Sequence, residues 1–301
     1  MTDEPGSRLV RYMGMRLIPV AVAVVTALAA AGCRRDLAAA ARPDPFYGPT
    51  DPMAKVVQDV NANNAKITTL RCAHSFQSTI VDDQGKSRTF TGDGYLLFMK
   101  PDNLLLTAGG IIKYFEVGSN AEQYWFTAFP DEVSTQWWGQ KTNLTDEQAR
   151  QIPIRPDLIL EVLGVSTLNE DFLVPPVPTM RFNNDADAYM FVWNKPLSNR
   201  WVAEKEVWYD RKTKLPKLVL LFDANGRIIL RAYLTDHQPV EGSTAKIASN
   251  YDLFFPENKS TMSFRLTDIK ESIQRGRARI PNANSFDFPD DPGVRKQIEI
   301  K

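Results

Sequence analysis

Two thiols, two imidazoles and one close pair of carboxylates are the side chains in this sequence whose types could do chemistry. Cys33 and Cys72 are its only cysteines, and His74 and His237 its only histidines. Neither histidine has a second ligating side chain at the spacing a zinc site requires, so the pattern argues against a metal centre, and no cofactor is called for. His74 alternates with Cys72 and Phe76 on one strand-like run, as a half-buried imidazole would, and His237 falls in a turn before Pro239. Glu204 and Glu206 share a strand face, the arrangement from which a paired-carboxylate hydrolase could be built. Lys205 interrupts them and Trp208 follows them, which is the pattern of a solvated strand face. No Gly-x-Ser-x-Gly elbow occurs. No catalytic residue emerges, and the chain reads as a non-enzyme.

Cys33 is the thiol with a context. The run Met15 to Cys33, MRLIPVAVAVVTALAAAGC, places a cation at Arg16, an apolar core from Leu17 to Leu28, and the small residues Ala30, Ala31 and Gly32 directly before the thiol. The core is too short to cross a hydrocarbon layer of about 30 Å. This is the pattern of a bacterial lipoprotein signal, in which the thiol is acylated with chains such as palmitate and the segment 1–32 is removed. Two other readings stay open: an uncleaved membrane anchor, and an ordinary secretory signal in which Cys33 is incidental. Met15 is the more economical start, since residues 1–14 add the acidic pair Asp3 and Glu4, which a signal does not need.

Composition narrows the classes of partner. The chain carries 36 basic and 36 acidic residues, and removal of residues 1–32 leaves the balance almost unchanged. Nucleic acid demands a basic stripe that such a chain does not supply. With Cys33 lipidated, Cys72 has no disulfide partner and reads as a small buried apolar residue.

Beyond the signal, residues 33–50 mix charge, Ala, Pro and Gly without a period and read as a tether. Some 17 extended residues would reach on the order of 60 Å. Thr50 or Asp51 can cap a helix with Pro52 in its first turn and an apolar stripe at Met53, Val56, Val57 and Val60. Strand-like runs follow at 71–81, 88–100, 103–108, 112–117, 122–129 and 133–139, with a turn at 82–85. The texture changes across 142–200, a helical and Pro-rich insertion. There Thr145 to Gln148 forms a capping box, and Pro156-Asp157 opens a helix that Gly164 ends. Strands resume at 201–209, 215–222, 227–234, 246–255 and 261–269, with Asn225-Gly226 as a tight turn. In this second half Leu230, Ala232 and Leu234 alternate with Arg231 and Tyr233, and Met262, Phe264 and Leu266 alternate with Ser263 and Arg265, so one face is wet. In the first half Leu96 and Phe98 oppose Tyr95 and Leu97, so both faces need cover. The expected fold is mainly β with a few helices (α+β): a curved antiparallel sheet forming an open half barrel around short helices, spanning 51–285 with a tail at 286–301.

A set of landmarks carries a family resemblance. A capped helix precedes a strand holding Phe76-Gln77, then come Gly94, Leu96 and Lys100-Pro101, then Gly118-Ser119-Asn120 before Tyr124-Trp125. In this order they resemble the periplasmic lipoprotein carriers and outer-membrane lipoprotein receptors, the Lol-type half barrels, over roughly 53–139. The resemblance implies an acyl-chain or lipoprotein cargo held against an apolar concave surface. Phe76, Leu96, Phe98, Lys100 and Trp125 are the candidate lipid-binding residues. The carriers have an Arg where Lys100 stands, and it holds a helical lid over the cavity. Lysine lacks the planar fork of arginine, so its latch would be a looser point-charge contact. Without the resemblance, Lys100 reads as a strand end in solvent, and the aromatics Phe76, Phe98, Trp125 and Trp138 as ordinary core. Related half barrels that hold glycolipids or triacylglycerides are as near a model, because the 142–200 stretch is longer than a carrier needs.

The expectation is a periplasm-facing envelope lipoprotein that binds an acyl chain for lipoprotein or lipid transport, anchored to the membrane through Cys33. Its alternative is a structural or scaffolding lipoprotein with a filled core. In well-studied bacteria an Asp after the lipidated Cys retains a protein in the inner membrane, and Arg34 here points to the outer one. Cys33→Ala should move the chain from the membrane fraction to the soluble fraction in an immunoblot of fractionated cells. If the variant stays membrane-bound, residues 15–33 are an uncleaved anchor.

Overall fold

The computed structural model describes residues 48–81, 87–109, 113–130, 134–142, 154–257 and 259–300. The signal, Cys33, nearly all of the tether, the turn at 82–85 and the capping box at 145–148 lie outside the described residues. One unit, Pro49 to Lys301, holds all the elements below.

Alternating residues of the first half build β1 (Thr69–Val81), β2 (Ser87–Met99), β3 (Asn103–Gly109), β4 (Lys113–Ser119), β5 (Gln123–Ala128) and β6 (Thr135–Gln140), each antiparallel to the one before. The second half supplies β7 (Val177–Asn183), β8 (Ala188–Leu197), β9 (Arg200–Asp210), β10 (Pro216–Phe222), β11 (Ile228–Pro239), β12 (Lys246–Phe255) and β13 (Ser260–Lys270). The halves join where β1 pairs with β13, giving one open fourteen-stranded sheet in the order β16 (Lys296–Glu299), β6 through β1, then β13 down to β7. The expected mainly β, open and curved architecture is what the chain adopts.

Two expectations about the ends of this sheet are corrected. The 142–200 stretch is not only a covering insertion, because β7 and β8 within it extend the sheet as its last two strands. The run at 286–301 is not a free tail. After a short hairpin, β14 (Ile273–Arg275) with β15 (Ala278–Ile280), and a 3-10 turn at Ala283–Phe286, the chain forms β16 (Lys296–Glu299), parallel to β6. Since β13 lies mid-sheet and β6 near the edge, this segment must cross β1 to β5.

That crossing explains how the doubly apolar first half is covered. Trp125 lies flat over Gly118, and its ring meets Phe288, which also packs on Trp138. Phe286 is buried, and its carbonyl accepts from Asn120 Nδ2 at 3.3 Å. The second half keeps its wet outer face: Leu230, Ala232 and Leu234 are buried, while Tyr233 is half exposed. His237, expected in a turn, lies within β11, which continues through the left-handed residue Asp236.

The other face holds two helices, α1 (Met53–Asn64) and α2 (Pro156–Leu163). In α1 the stripe Val56, Val57 and Val60 is buried, as its spacing requires. The cap is different from the expected one. Pro52 is the N-cap, and its carbonyl accepts from Lys55 N and Val56 N at 3.0 and 3.1 Å. Asp51 does not cap because its carboxylate is taken by Lys214 Nζ at 2.7 Å and by the Tyr189 hydroxyl at 3.2 Å. In α2, Pro156 opens the first turn and Gly164 closes it in the left-handed conformation (φ 68°).

A β-carbon at Gly118 would stand 1.9 Å from the Trp125 indole, so the C-terminal cover depends on that glycine. Gly118→Ala should cost about 1 to 3 kcal/mol through overpacking. Thermal melting should fall by roughly 2 to 4 °C per kcal/mol, and Trp125→Leu in the same chain should recover part of the loss.

Candidate functional site

On the concave face, cross-strand register lines up Leu70 with Phe98, Cys72 with Leu96, and Phe76 with Phe264. Leu106, Leu104, Val117, Phe115 and Phe126 continue the surface across β3, β4 and β5. All belong to one buried cluster with Val56, Val57, Val60 and Ile67. Phe76 lies further along β1, opposite Gly92 and Phe264, yet Phe76, Leu96 and Phe98 are all part of the cluster that the α1 stripe joins. Trp125 is not. It points to the opposite face, where its indole N–H donates to Glu116 Oε1 at 3.1 Å beneath Phe288. The sequence run Tyr124-Trp125-Phe126 is aromatic on both faces, so alternation alone could not tell which ring faces the core.

Lys100 is held at the rim. Its Nζ donates to the Asn64 carbonyl, at the end of α1, at 2.7 Å and reaches Thr167 Oγ1 at 3.4 Å. This corrects the reading of Lys100 as a strand end in solvent. Partial burial pulls its ammonium below the usual lysine range.

The sequence reading missed a larger set of ties at the same end of α1. Asn61 exchanges two hydrogen bonds with the Leu168 backbone, donating from Nδ2 at 3.0 Å and accepting from Leu168 N at 2.8 Å. Asn64 Nδ2 donates to the carbonyls of Gly164 and Ser166 at 3.0 and 2.8 Å. Asn63 pairs with both backbone groups of Lys246 at 2.9 and 3.0 Å. The available signal was the cluster Asn61, Asn63 and Asn64 closing an amphipathic helix, where buried amides must find partners. At the other end Asp51 is tied to Tyr189 and Lys214, so α1 is fastened at both ends with the stripe Val56, Val57 and Val60 buried in between.

His74 is buried rather than half-buried, and its Nε2 lies 2.9 Å from the Thr107 carbonyl. A carbonyl only accepts, so Nε2 carries the ring proton. Gly94, opposite His74, lets the ring pass: a β-carbon there would sit 1.9 Å from Thr107 O and 2.8 Å from Nε2. Burial depresses the His74 pKa and pushes the Cys72 thiol up to about 12, so neither is poised to react. The carboxylates of Glu204 and Glu206 do not act as a pair. Glu204 accepts from Lys195 at 2.9 Å, and Glu206 from the Trp208 indole at 2.5 Å.

Beside α2 lies a cavity of about 290 Å³ whose walls include Tyr124, Arg155, Asp157, Glu161 and Lys205. Arg155 pairs with Asp157 at 2.5 Å and Lys205 with Glu161 at 2.7 Å, so its charges are paired with one another, beside the apolar side chains of Leu158, Leu160 and Leu221. Burial, helped by Asp157 and Asp102, raises the Tyr124 hydroxyl to about 12. Among the described residues no three His, Cys, Asp or Glu side chains are grouped to hold a metal.

No protein-family model matches the sequence. No curated protein matches it either. Several solved structures have a similar shape. One, from Vibrio parahaemolyticus, is provisionally called an outer membrane lipoprotein-sorting protein domain. It is 12% identical, with a TM-score of 0.48 over 78% of this chain and 95% of that one. A LolA superfamily protein from Nitrosomonas europaea is 10% identical, with a TM-score of 0.45 over 76% and 96%. A DUF1329 family protein from Desulfovibrio piger is 10% identical, with a TM-score of 0.49 over 79% and 100%.

Lys100→Met removes the Asn64 tie while keeping the stem. Amide exchange in peptides covering α1 should then rise about ten- to a hundredfold, the equivalent of one charged hydrogen bond, while β1 and β2 stay protected. Lys100→Arg should restore protection. Unchanged exchange in α1 would show that Lys100 holds nothing.

Proposed function

We propose that this protein is an envelope lipoprotein that carries a lipid or an acylated lipoprotein, with the acyl chain lying on the concave face where α1 now rests. One observation carries the reading. The concave face is apolar from Phe76 through Leu96 and Phe98 to Phe126, yet the helix over it is held chiefly by polar ties at its two ends. A cover fastened in this way can lift and re-seat, and each methylene of an entering chain contributes about 0.8 kcal/mol. Cys33 would anchor the protein to a membrane, facing the periplasm, with the outer membrane favoured by Arg34. The rival reading, a scaffolding lipoprotein without ligand, is favoured by the complete burial of Leu96 and Phe98 under α1.

Photo-crosslinking separates the two. A diazirine-bearing palmitoyl lipid, added to membranes containing the full chain, should label peptides of α1, β1 and β2. Phe98→Arg should abolish that labelling without releasing the protein from the membrane. Labelling confined to the tether, or unaffected by Phe98→Arg, would favour the filled core.

A further inference from the structure

Two polar atoms in the apolar floor have no partner. The Tyr251 hydroxyl is wholly buried and makes no hydrogen bond, and neither does Nδ1 of His74. Both side chains belong to the concave face. Tyr251 stands opposite Phe264, which stands opposite Phe76, and His74 is two residues along β1 from Phe76. The Tyr251 ring stacks on Phe264 with centroids 4.5 Å apart, and the His74 ring meets the edge of Phe76 at 6.2 Å. These contacts fix both rings, so neither polar atom is free to swing to water. Native interiors rarely leave such groups unpaired, because each forfeits the hydrogen bonds it had in water.

The two atoms ask for different things. Nδ1 of His74 is a bare acceptor, since Nε2 holds the proton for Thr107, and it needs a donor. The Tyr251 hydroxyl can donate to an acceptor. No cation bears on either: the ionisable neighbours are the Asp93 carboxylate for His74 and the Cys72 thiol for Tyr251, while Lys100 is committed to the Asn64 carbonyl at the rim. An ionised carboxylate would therefore be unpaired in the floor, whereas a neutral carbonyl would not.

We infer that Tyr251 and His74 form the polar end of the acyl site, taking an uncharged acyl carbonyl on the Tyr251 hydroxyl and a neighbouring hydroxyl or N–H on His74 Nδ1. The ligand class is an acyl ester or amide with an adjacent donor, in preference to a free fatty acid. This rests on the acyl-carrier reading above and specifies its cargo. An ester would come from an acylglycerol and an amide from an N-acylated terminus, and both share the recognised chemistry.

The test is competition against a fluorescent acyl probe on the full chain in detergent, with four ligands of equal chain length. They are monopalmitoylglycerol (ester), N-palmitoylethanolamine (amide), 1-O-hexadecylglycerol (ether, without the carbonyl) and palmitate. The ester or the amide should bind about five- to tenfold more tightly than the ether, and whichever leads identifies the source. Tyr251→Phe keeps the stacked ring and should erase that preference without weakening the ether. His74→Phe should weaken the ester and the amide, and Tyr251→Phe alone keeps the proposal testable if His74→Phe fails to fold. Equal binding of ester, amide and ether, or a preference that survives Tyr251→Phe, would overturn this inference and leave the carrier reading standing. Tighter binding of palmitate than of the ester would also overturn it. Absence of binding by all four would overturn both.

Discussion

A sheet left open at both edges cannot leave its concave side bare, and the burial of that side under α1 is the constraint on which the remaining features depend. Val56, Val57 and Val60 contribute the apolar stripe, each gaining at most about 1.5 to 3 kcal/mol on full burial. Three valines on a 12-residue helix do not fix its position by themselves. Position comes from directional bonds: Asp51 to Tyr189 and Lys214 at one end, and Asn61, Asn63, Asn64 and Lys100 at the other. Because a buried amide left unpaired costs more than a bond gains, the asparagines admit one register and penalise the neighbouring ones.

The two faces of the sheet are solved by different means. The outer face of β5 and β6 presents Trp125 and Trp138 and receives the chain returning from β13, with Phe288 packed on both rings and β16 added beside β6. The outer face of β11 to β13 alternates with polar residues and needs no cover. A parallel strand at the edge of an antiparallel sheet follows from this topology, because a chain crossing from mid-sheet must reach the far edge by a long connection. The edge at β6 is thereby closed to other chains.

Alternation made the strands legible, and the strand positions within 201–269 agree with the structure to a residue or two except where β11 runs on past Leu234. Legibility failed where a pattern was two-sided or short. Tyr124-Trp125-Phe126 offers rings to both faces, so alternation groups Trp125 with residues it never meets. The last strand has only four residues and no period, and β7 and β8 are punctuated by Pro178 and Pro196, which disguised them as insertion. Asp51 was a reasonable cap by local chemistry, but Lys214 and Tyr189, more than 130 positions away, outcompeted the helix for its carboxylate. Long-range partners of this kind leave no local mark.

The ties at the end of α1 also decide what would move. Lys100 reaches α1 from the sheet, but Asn61 and Asn64 join α1 to 164–168, the segment directly after α2. A lysine gives the contact charge without the geometry of an arginine fork, so most of the directional hold on α1 lies in the asparagines. Releasing Lys100 frees the helix from the sheet rim while leaving it bonded to the segment behind α2. The ties therefore join α1 and 164–168 into one unit, while Lys205 of β9 holds α2 through Glu161. Lifting α1 from the sheet would break the Asp51 and Lys246 contacts with β8, the β9–β10 turn and β12 and would uncover Val56, Val57 and Val60. Local opening of such a unit lies below the cost of global unfolding, because the fourteen-stranded ladder stays intact.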